Sequence, residues 1–277
     1  MKFIPLLIAY LFSTSVYAGG PWLNKKKSGF FQIQSTFPGG AYNRLFLENG
    51  GESTLSRSVL DYTLQAYLEY GLTDKITIIS TLPYKFVSTK SVLDSAALPG
   101  GSLNGLGNYS LGFKHRISNK DLKIAASIQA KFNTTTNDLE KGLTTGYGAN
   151  SVGAYLHIGK GFNKNLYSFI DAGINTVSNN FSDFIDIHYE IGYQIKPSFW
   201  TAFTVDLRES LKNGDYTNSN LKETALYTNN QEYFAYGVKT SYELKNKIGF
   251  TAATFGAFSG NYVAKIATFS IGIYKKW

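Results

Sequence analysis

Residues 60–71, LDYTLQAYLEYG, alternate with a period of two: Leu60, Tyr62, Leu64, Ala66, Leu68 and Tyr70 against Asp61, Thr63, Gln65, Tyr67 and Glu69. Successive side chains of a β-strand point to opposite faces, so this pattern predicts a long strand with one apolar and one wet face. The alternation returns in YSLGFKHRI (109–117), LKIAASIQAKF (122–132), IDIHYEIGY (185–193), FTVDLRE (203–209) and FAYGVKTSYEL (234–244). About twelve such segments can be read, near 28–37, 57–71, 75–87, 105–117, 122–133, 149–161, 165–176, 184–195, 198–211, 232–244, 247–258 and 261–277. Most exceed the usual five or six residues of soluble strands and match the roughly 9–11 that a tilted strand needs to cross a bilayer.

The connections also alternate. Short turns (LTDK at 72–75, SNKD at 118–121, NKN at 163–165, KPS at 196–198, KN at 245–246) follow the even-numbered segments. Most odd-numbered ones are followed by long polar stretches, 38–56, 88–104, 134–148 and 212–231. Short turns on one rim and long loops on the other characterise outer-membrane barrels, whose short turns are periplasmic. An even strand count then puts both chain ends on the periplasmic side. The competing reading is a soluble sandwich or lipocalin-like barrel with its apolar face inward. Long strands carrying this many charges on one face close more readily around a wet interior than a dry one. The expected fold is therefore all-β, a transmembrane antiparallel barrel of about twelve strands. Slipping residues 60–71 by one place would put Asp61, Gln65 and Glu69 into lipid and wet several Leu and Tyr side chains, at a cost on the order of 10 kcal/mol.

Lys2, the apolar run FIPLLIAYLF (3–12) and the small residues Val16 and Ala18 read as an export signal over 1–18, leaving the barrel in 19–277. Residues 19–27 look too few to form a separate plug. There is no Cys, which removes thiol catalysis and a disulfide scaffold. The formal net charge is +8. Its lysines (25, 26, 27, 75, 120, 123, 160, 164, 196, 245, 247, 275 and 276) gather by the short turns, with only Asp74 and Asp121 among them. That is a collar for anionic lipid headgroups or solvated turn lysines, and not a nucleic-acid surface. Aromatics sort to segment ends: Tyr70, Tyr193, Phe199, Tyr242 and Phe250 by the short turns, Tyr84, Phe86, Phe132, Phe234 and Phe258 by the long loops.

By parity the lumen is lined by Asp61, Gln65, Tyr67, Glu69, Lys114, Arg116, Lys131, Tyr155, Asp171, Asp186, His188, Glu190, Trp200, Asp206, Arg208 and Lys239. Asp186, His188 and Glu190 share one face at spacing two, which suits a cation or, more simply, a polar ladder. No metal or other cofactor is expected. The sequence HRISN (115–119) holds the residue types of a lipid-facing Ser–His–Asn triad, but Ser118 and Asn119 fall in a short turn at the wrong rim. The Gly-rich GGSLNGLG (100–107) leads into a strand, not a helix N-terminus, so it is no phosphate loop. An enzyme is not expected.

The chain ends in SIGIYKKW; Ser270, Gly272 and the terminal Trp277 resemble the signal read by the outer-membrane assembly machinery, with Lys275 where an apolar residue is usual. YLEYGLTDKITIISTLPY (67–84) followed by GLGNYSLGFKHRI (105–117) resembles the outer-membrane barrel family named for the MetA pathway of phenol degradation. Gly105, Gly107, Gly112 and Lys114 match its turn–strand pattern, and Asn108 stands where the family has Asp. The resemblance implies a transporter-like barrel. The function read from this is a channel or facilitated transporter for a small, aromatic or hydrophobic solute. The alternative is a non-transporting barrel acting in surface structure, adhesion or binding through its loops. Expected partners are outer-membrane lipids, the assembly machinery and the solute.

Overall fold

The computed structural model describes residues 19–90 and 98–277; residues 1–18, read above as an export signal, lie outside them. Twelve antiparallel strands close into one barrel. They are β1 (Gly29–Pro38), β2 (Glu52–Thr73), β3 (Ile76–Thr89), β4 (Gly101–Leu106 and Tyr109–Asn119), β5 (Leu122–Phe132) and β6 (Ser151–Gly161). Then come β7 (Leu166–Val177), β8 (Phe184–Lys196), β9 (Phe199–Ser210), β10 (Glu232–Glu243), β11 (Ile248–Asn261) and β12 (Thr268–Lys276). Each strand pairs with the next, and β1 pairs with β12 from Phe30↔Lys276 to Pro38↔Thr268. Closure leaves no free wall edge, which lipid demands, because no water is there to satisfy exposed backbone groups.

The wall shows the expected sidedness. Ile33, Leu64, Phe113, Ile128, Leu156, Ile170, Phe203, Val238 and Ile271 are exposed on the outside. Charged and polar side chains of the same strands are buried inside, among them Glu69, Lys114, His157 and Glu190. An apolar belt this continuous is far larger than a soluble surface carries and fits hydrocarbon. Several inner aromatics lie flat on the wall because glycine stands across from them. Tyr155 faces Gly173 and Tyr167 faces Gly192; a Cβ on either glycine would come within 2.2 Å of the tyrosine ring.

Pro83 interrupts the β3 side of the β3–β4 seam. It has no N–H, and the ladder there slips by one residue, from Thr81↔Ser110 to Tyr84↔Leu106. Gly107 fills the gap, donating its N–H to the Pro83 carbonyl at 2.9 Å.

Three boundaries differ from the sequence reading by four residues or more. β2 begins at Glu52, not near 57, β4 at Gly101, not near 105, and the last strand at Thr268, not near 261. Tyr42–Phe46 pairs with the top of β2 and with Val263–Ala264, so the wall continues above the apolar belt. The outward residues there, Thr54, Ser56 and Ser58, are polar, and Arg57 interrupts the inward Leu55 and Val59, so the period-two hydrophobic signal is broken. The long loops above are packed around their own core of Tyr42, Leu45, Leu55, Val59, Val87, Leu143, Ala225 and Leu226. Arg57, 3 % exposed, ties them by donating to the carbonyls of Lys141, Pro99 and Glu223. A single helical turn, Ser219–Lys222, is capped by the Asn218 side chain, which accepts from the Asn220 and Leu221 amides at 3.1 Å.

Candidate functional site

Because the strands alternate, charges placed on their inner faces meet one another across the sheet. Asp186 and Arg208 are direct cross-strand neighbours on β8 and β9 and form a two-pronged pair at 2.8 and 3.0 Å. One step down, His188 contacts Asp206 at 2.7 Å. Glu190, 1 % exposed, accepts from Lys239 and from the Tyr167 hydroxyl. So Asp186, His188 and Glu190 are each engaged by a partner on another strand, which is the polar-ladder arrangement. On the opposite wall Asp61 pairs with Lys85 at 2.8 Å, and Gln65 lies across from Gln34. Glu69 accepts from the Tyr67 hydroxyl and lies 3.7 Å from the Lys114 ammonium. Asp171 contacts His157 at 2.8 Å, whose other ring nitrogen meets Ser127. Tyr155 donates to Asn175, and Trp200 packs on Tyr167 at 5.5 Å. Lys131 and Arg208 share the face of the Phe184 ring.

The short-turn half of the lumen is occupied, contrary to the expectation that residues 19–27 are too few for a plug. The N-terminal segment runs inside the barrel. Lys114 donates to the Gly20 carbonyl at 2.9 Å, and Asp171 accepts from the Gly20 amide at 3.2 Å. Arg116 reaches the Leu23 carbonyl, and the Asn24 side chain donates to Glu69 at 3.1 Å. Trp22 sets its edge on Tyr167 and Phe169, 5.7 and 5.6 Å away. A plug this short works because the wall residues reach in to it. Its contacts were invisible in the sequence, since a segment without periodicity carries no sign of what it touches.

Above the plug the interior opens into cavities. One of about 230 Å³ lies at mid-lumen, among Tyr155, His157, Asp171, Asp186, His188, Asp206 and Tyr233. One of about 300 Å³ lies beside Tyr42, Asp61, Lys85, Tyr227 and Tyr233. A vestibule of about 420 Å³ sits among the long loops, lined by Glu48, Tyr216, Leu221, Asn229 and Tyr262. A narrower cavity, the neck, adjoins the vestibule at Thr228–Asn230 and is lined by Asn108, Lys131, Tyr147, Phe181, Phe184 and Arg208. The sequence reading of the lumen omitted Lys85, although its parity marks it, and Tyr147, Phe181 and Tyr227, which arrive on loops. Tyr227 dips in far enough to place its ring 5.0 Å from the Lys85 ammonium. Among the described residues no group of three or more Asp, Glu or His side chains is arranged to hold a metal ion.

No family model matches the sequence, and no curated protein matches it. Solved structures do. An outer membrane channel from Pseudomonas putida aligns over 95 % of this chain and 100 % of its own, with a TM-score of 0.72 and 14 % identity. The fold is that of outer-membrane β-barrels. The NanC porin aligns over 89 % of this chain and 100 % of its own (TM-score 0.55, 9 % identity). The β domain of the Bordetella autotransporter BrkA aligns over 91 % and 100 % (TM-score 0.51, 10 % identity). Porins and an autotransporter domain share the architecture, so the architecture alone does not choose a function.

Proposed function

We propose that this protein is an outer-membrane channel for small solutes, closed in the described state by its N-terminal segment. The carrying observation is the series of cavities inside the barrel. Vestibule and neck share Thr228, Asn229 and Asn230; the neck and the 300 Å³ cavity share Gln231; that cavity and the mid-lumen one share Tyr233. The mid-lumen cavity is lined by Asp171, which also accepts from the Gly20 amide of the N-terminal segment. Charges along this series are mostly paired with each other, so a polar solute passes without stripping an isolated ion of its partner. Tyr155, Tyr233, Tyr147 and Phe184 give flat apolar surface beside them, which suits a solute with both polar and ring character. The likeness to an outer membrane channel and a porin is consistent with this reading, as is the resemblance to the family named for the MetA pathway. The proposal carries the remaining expectations with it: export with removal of residues 1–18, both ends on the periplasmic side, the lysine collar at phospholipid headgroups, and assembly through β12 up to Trp277.

Planar-bilayer recording of the refolded barrel tests it. The expected result is rare or small current steps for the parent, and frequent, larger steps for a variant lacking residues 20–24. Trp22→Ala, which removes the two ring contacts alone, should fall between. Two folded variants (shown by heat-modifiable gel mobility) that stay silent would overturn the channel. Weight would then move to a surface role, which the well-packed core of the long loops favours. A loop deletion would lose that activity without changing permeability.

A further inference from the structure

Arg57 and Arg116 pair with no carboxylate but donate to carbonyls, whereas the Lys131 ammonium has no acceptor of either kind among the described residues. Lys131 stands near the top of β5, with Ser110 and Ser151 across from it on the neighbouring strands. Among the described residues no carboxylate, carbonyl or hydroxyl accepts from its ammonium; the Phe184 ring lies beneath it, 5.8 Å to the centroid, with Arg208 and Asp186 close enough to act on its charge. The guanidinium of Arg208 stacks on the same ring at 3.9 Å and is already matched by Asp186. The neck therefore holds two cations and one carboxylate. The Lys131 ammonium is half-buried and has only the Asp186 carboxylate, already taken by Arg208, to offset it, so it gains when an anion arrives.

We propose that the neck is a binding site for small aryl monocarboxylates, with Lys131 as the counter-charge. This deepens the solute-channel reading and rests on it for the direction of approach. A single charge is missing, so a monoanion balances the site where a phosphate dianion overshoots. The walls choose among monoanions: Tyr147, Phe181 and Phe184 converge there with Val177 and Ala149, a surface that rewards a flat apolar group over chloride or nitrate. The neck is the narrowest of these cavities, and Lys131 and Arg208 in its lining set the carboxylate there. The ring then lies in the mouth that the neck shares with the vestibule at Thr228–Asn230, close to the Tyr147 and Phe181 rings, which meet edge-on at 5.5 Å. Asn108 is held by its amide to the carbonyls of Tyr147 and Ala149, so it braces the loop and is not left seeking the ligand.

Titration calorimetry of the refolded full barrel in non-ionic detergent tests the site without needing current. Benzoate is the probe, and benzyl alcohol its neutral counterpart. Benzoate should bind one to one. Lys131→Met should weaken it at least tenfold, Lys131→Arg should restore most of the binding, and benzyl alcohol should bind weakly and equally to all three. The Met variant removes no hydrogen bond and relieves the repulsion from Arg208, so it should fold at least as well as the parent. Equal benzoate binding by the parent and the Met variant would overturn the proposal, as would benzyl alcohol binding as tightly as benzoate. Lys131-dependent binding in a barrel that never conducts would keep the site and sink the channel. Conduction with Lys131-independent binding would do the reverse.

Discussion

At the scale of the residue, Lys114 shows why the lumen charges cannot be read singly. It is 1 % exposed and lies on β4 between Glu69 on the wall and the Gly20 carbonyl on the plug. Glu69 is itself 2 % exposed. Removing one partner of a buried pair leaves the other charge stranded, at a cost of about 3–5 kcal/mol. Lys114→Met should therefore lower stability by an amount of that order in a urea titration of the refolded barrel. The double variant with Glu69→Gln should recover a large part of the loss, since no bare carboxylate remains. Equal losses for the single and double variants would show that Lys114 acts through the plug and not through Glu69. Parity told the sequence reader that Lys114 and Glu69 face inward. It could not say that they face each other, since β3 lies between β2 and β4 in the wall.

At the scale of the element, the plug depends on a close approach at the foot of β2. Gly71 donates its N–H to the Ser28 carbonyl, and its own carbonyl accepts from Lys27. A Cβ at Gly71 would stand 2.1 Å from the Lys25 carbonyl. That neighbour is backbone and cannot simply swing aside, so Gly71→Val should push the segment off its seat while leaving the β2–β3 pairing above it intact. In a variant retaining only Trp22 among the tryptophans, acrylamide should then quench its fluorescence more strongly. Unchanged quenching would mean the segment holds its place by its contacts with Asp171, Lys114 and the rings of Tyr167 and Phe169 alone. The sequence marks Gly71 as the end of an alternating strand; β2 runs on to Thr73, past a register shift that follows Gly71. The reason a glycine is needed there comes from a backbone forty-odd residues earlier in the chain.

At the scale of the whole molecule, two caps close one tube: the N-terminal segment at the short-turn end and the packed loops at the other. The loop cap is fastened outside the apolar belt by Glu52, whose carboxylate meets the Lys265 ammonium and, at 2.7 Å, the Arg44 guanidinium. The Lys265 and Arg44 hydrogen bonds hold this carboxylate below its ordinary value. A carboxylate depressed by folding contributes stability that is present above its unfolded value and is lost as the pH falls through the folded one. The Tyr42–Phe46 flap should accordingly loosen below about pH 4, where an ordinary glutamate titrates, and keep loosening through the depressed value. Hydrogen exchange at the Leu45 and Phe46 amides, corrected for its intrinsic pH dependence, should show this step in the parent and lack it in Glu52→Gln. A step of equal size in both would assign the loosening to other carboxylates.

The period of two by itself determined the class of fold, the sidedness of every long strand and the residues that point inward. It could do so because lipid outside and water inside impose opposite demands on adjacent residues, and those demands are written one position apart. Tertiary structure alone decided which inward charges pair, that the Lys131 ammonium is left without a hydrogen-bond acceptor among the described residues, that Tyr227 and Tyr147 enter from the loops, and that residues 20–24 fill the short-turn half. Pairing across a barrel depends on strand register and shear, and a segment that packs inside the tube answers to the side chains around it, not to any repeat of its own.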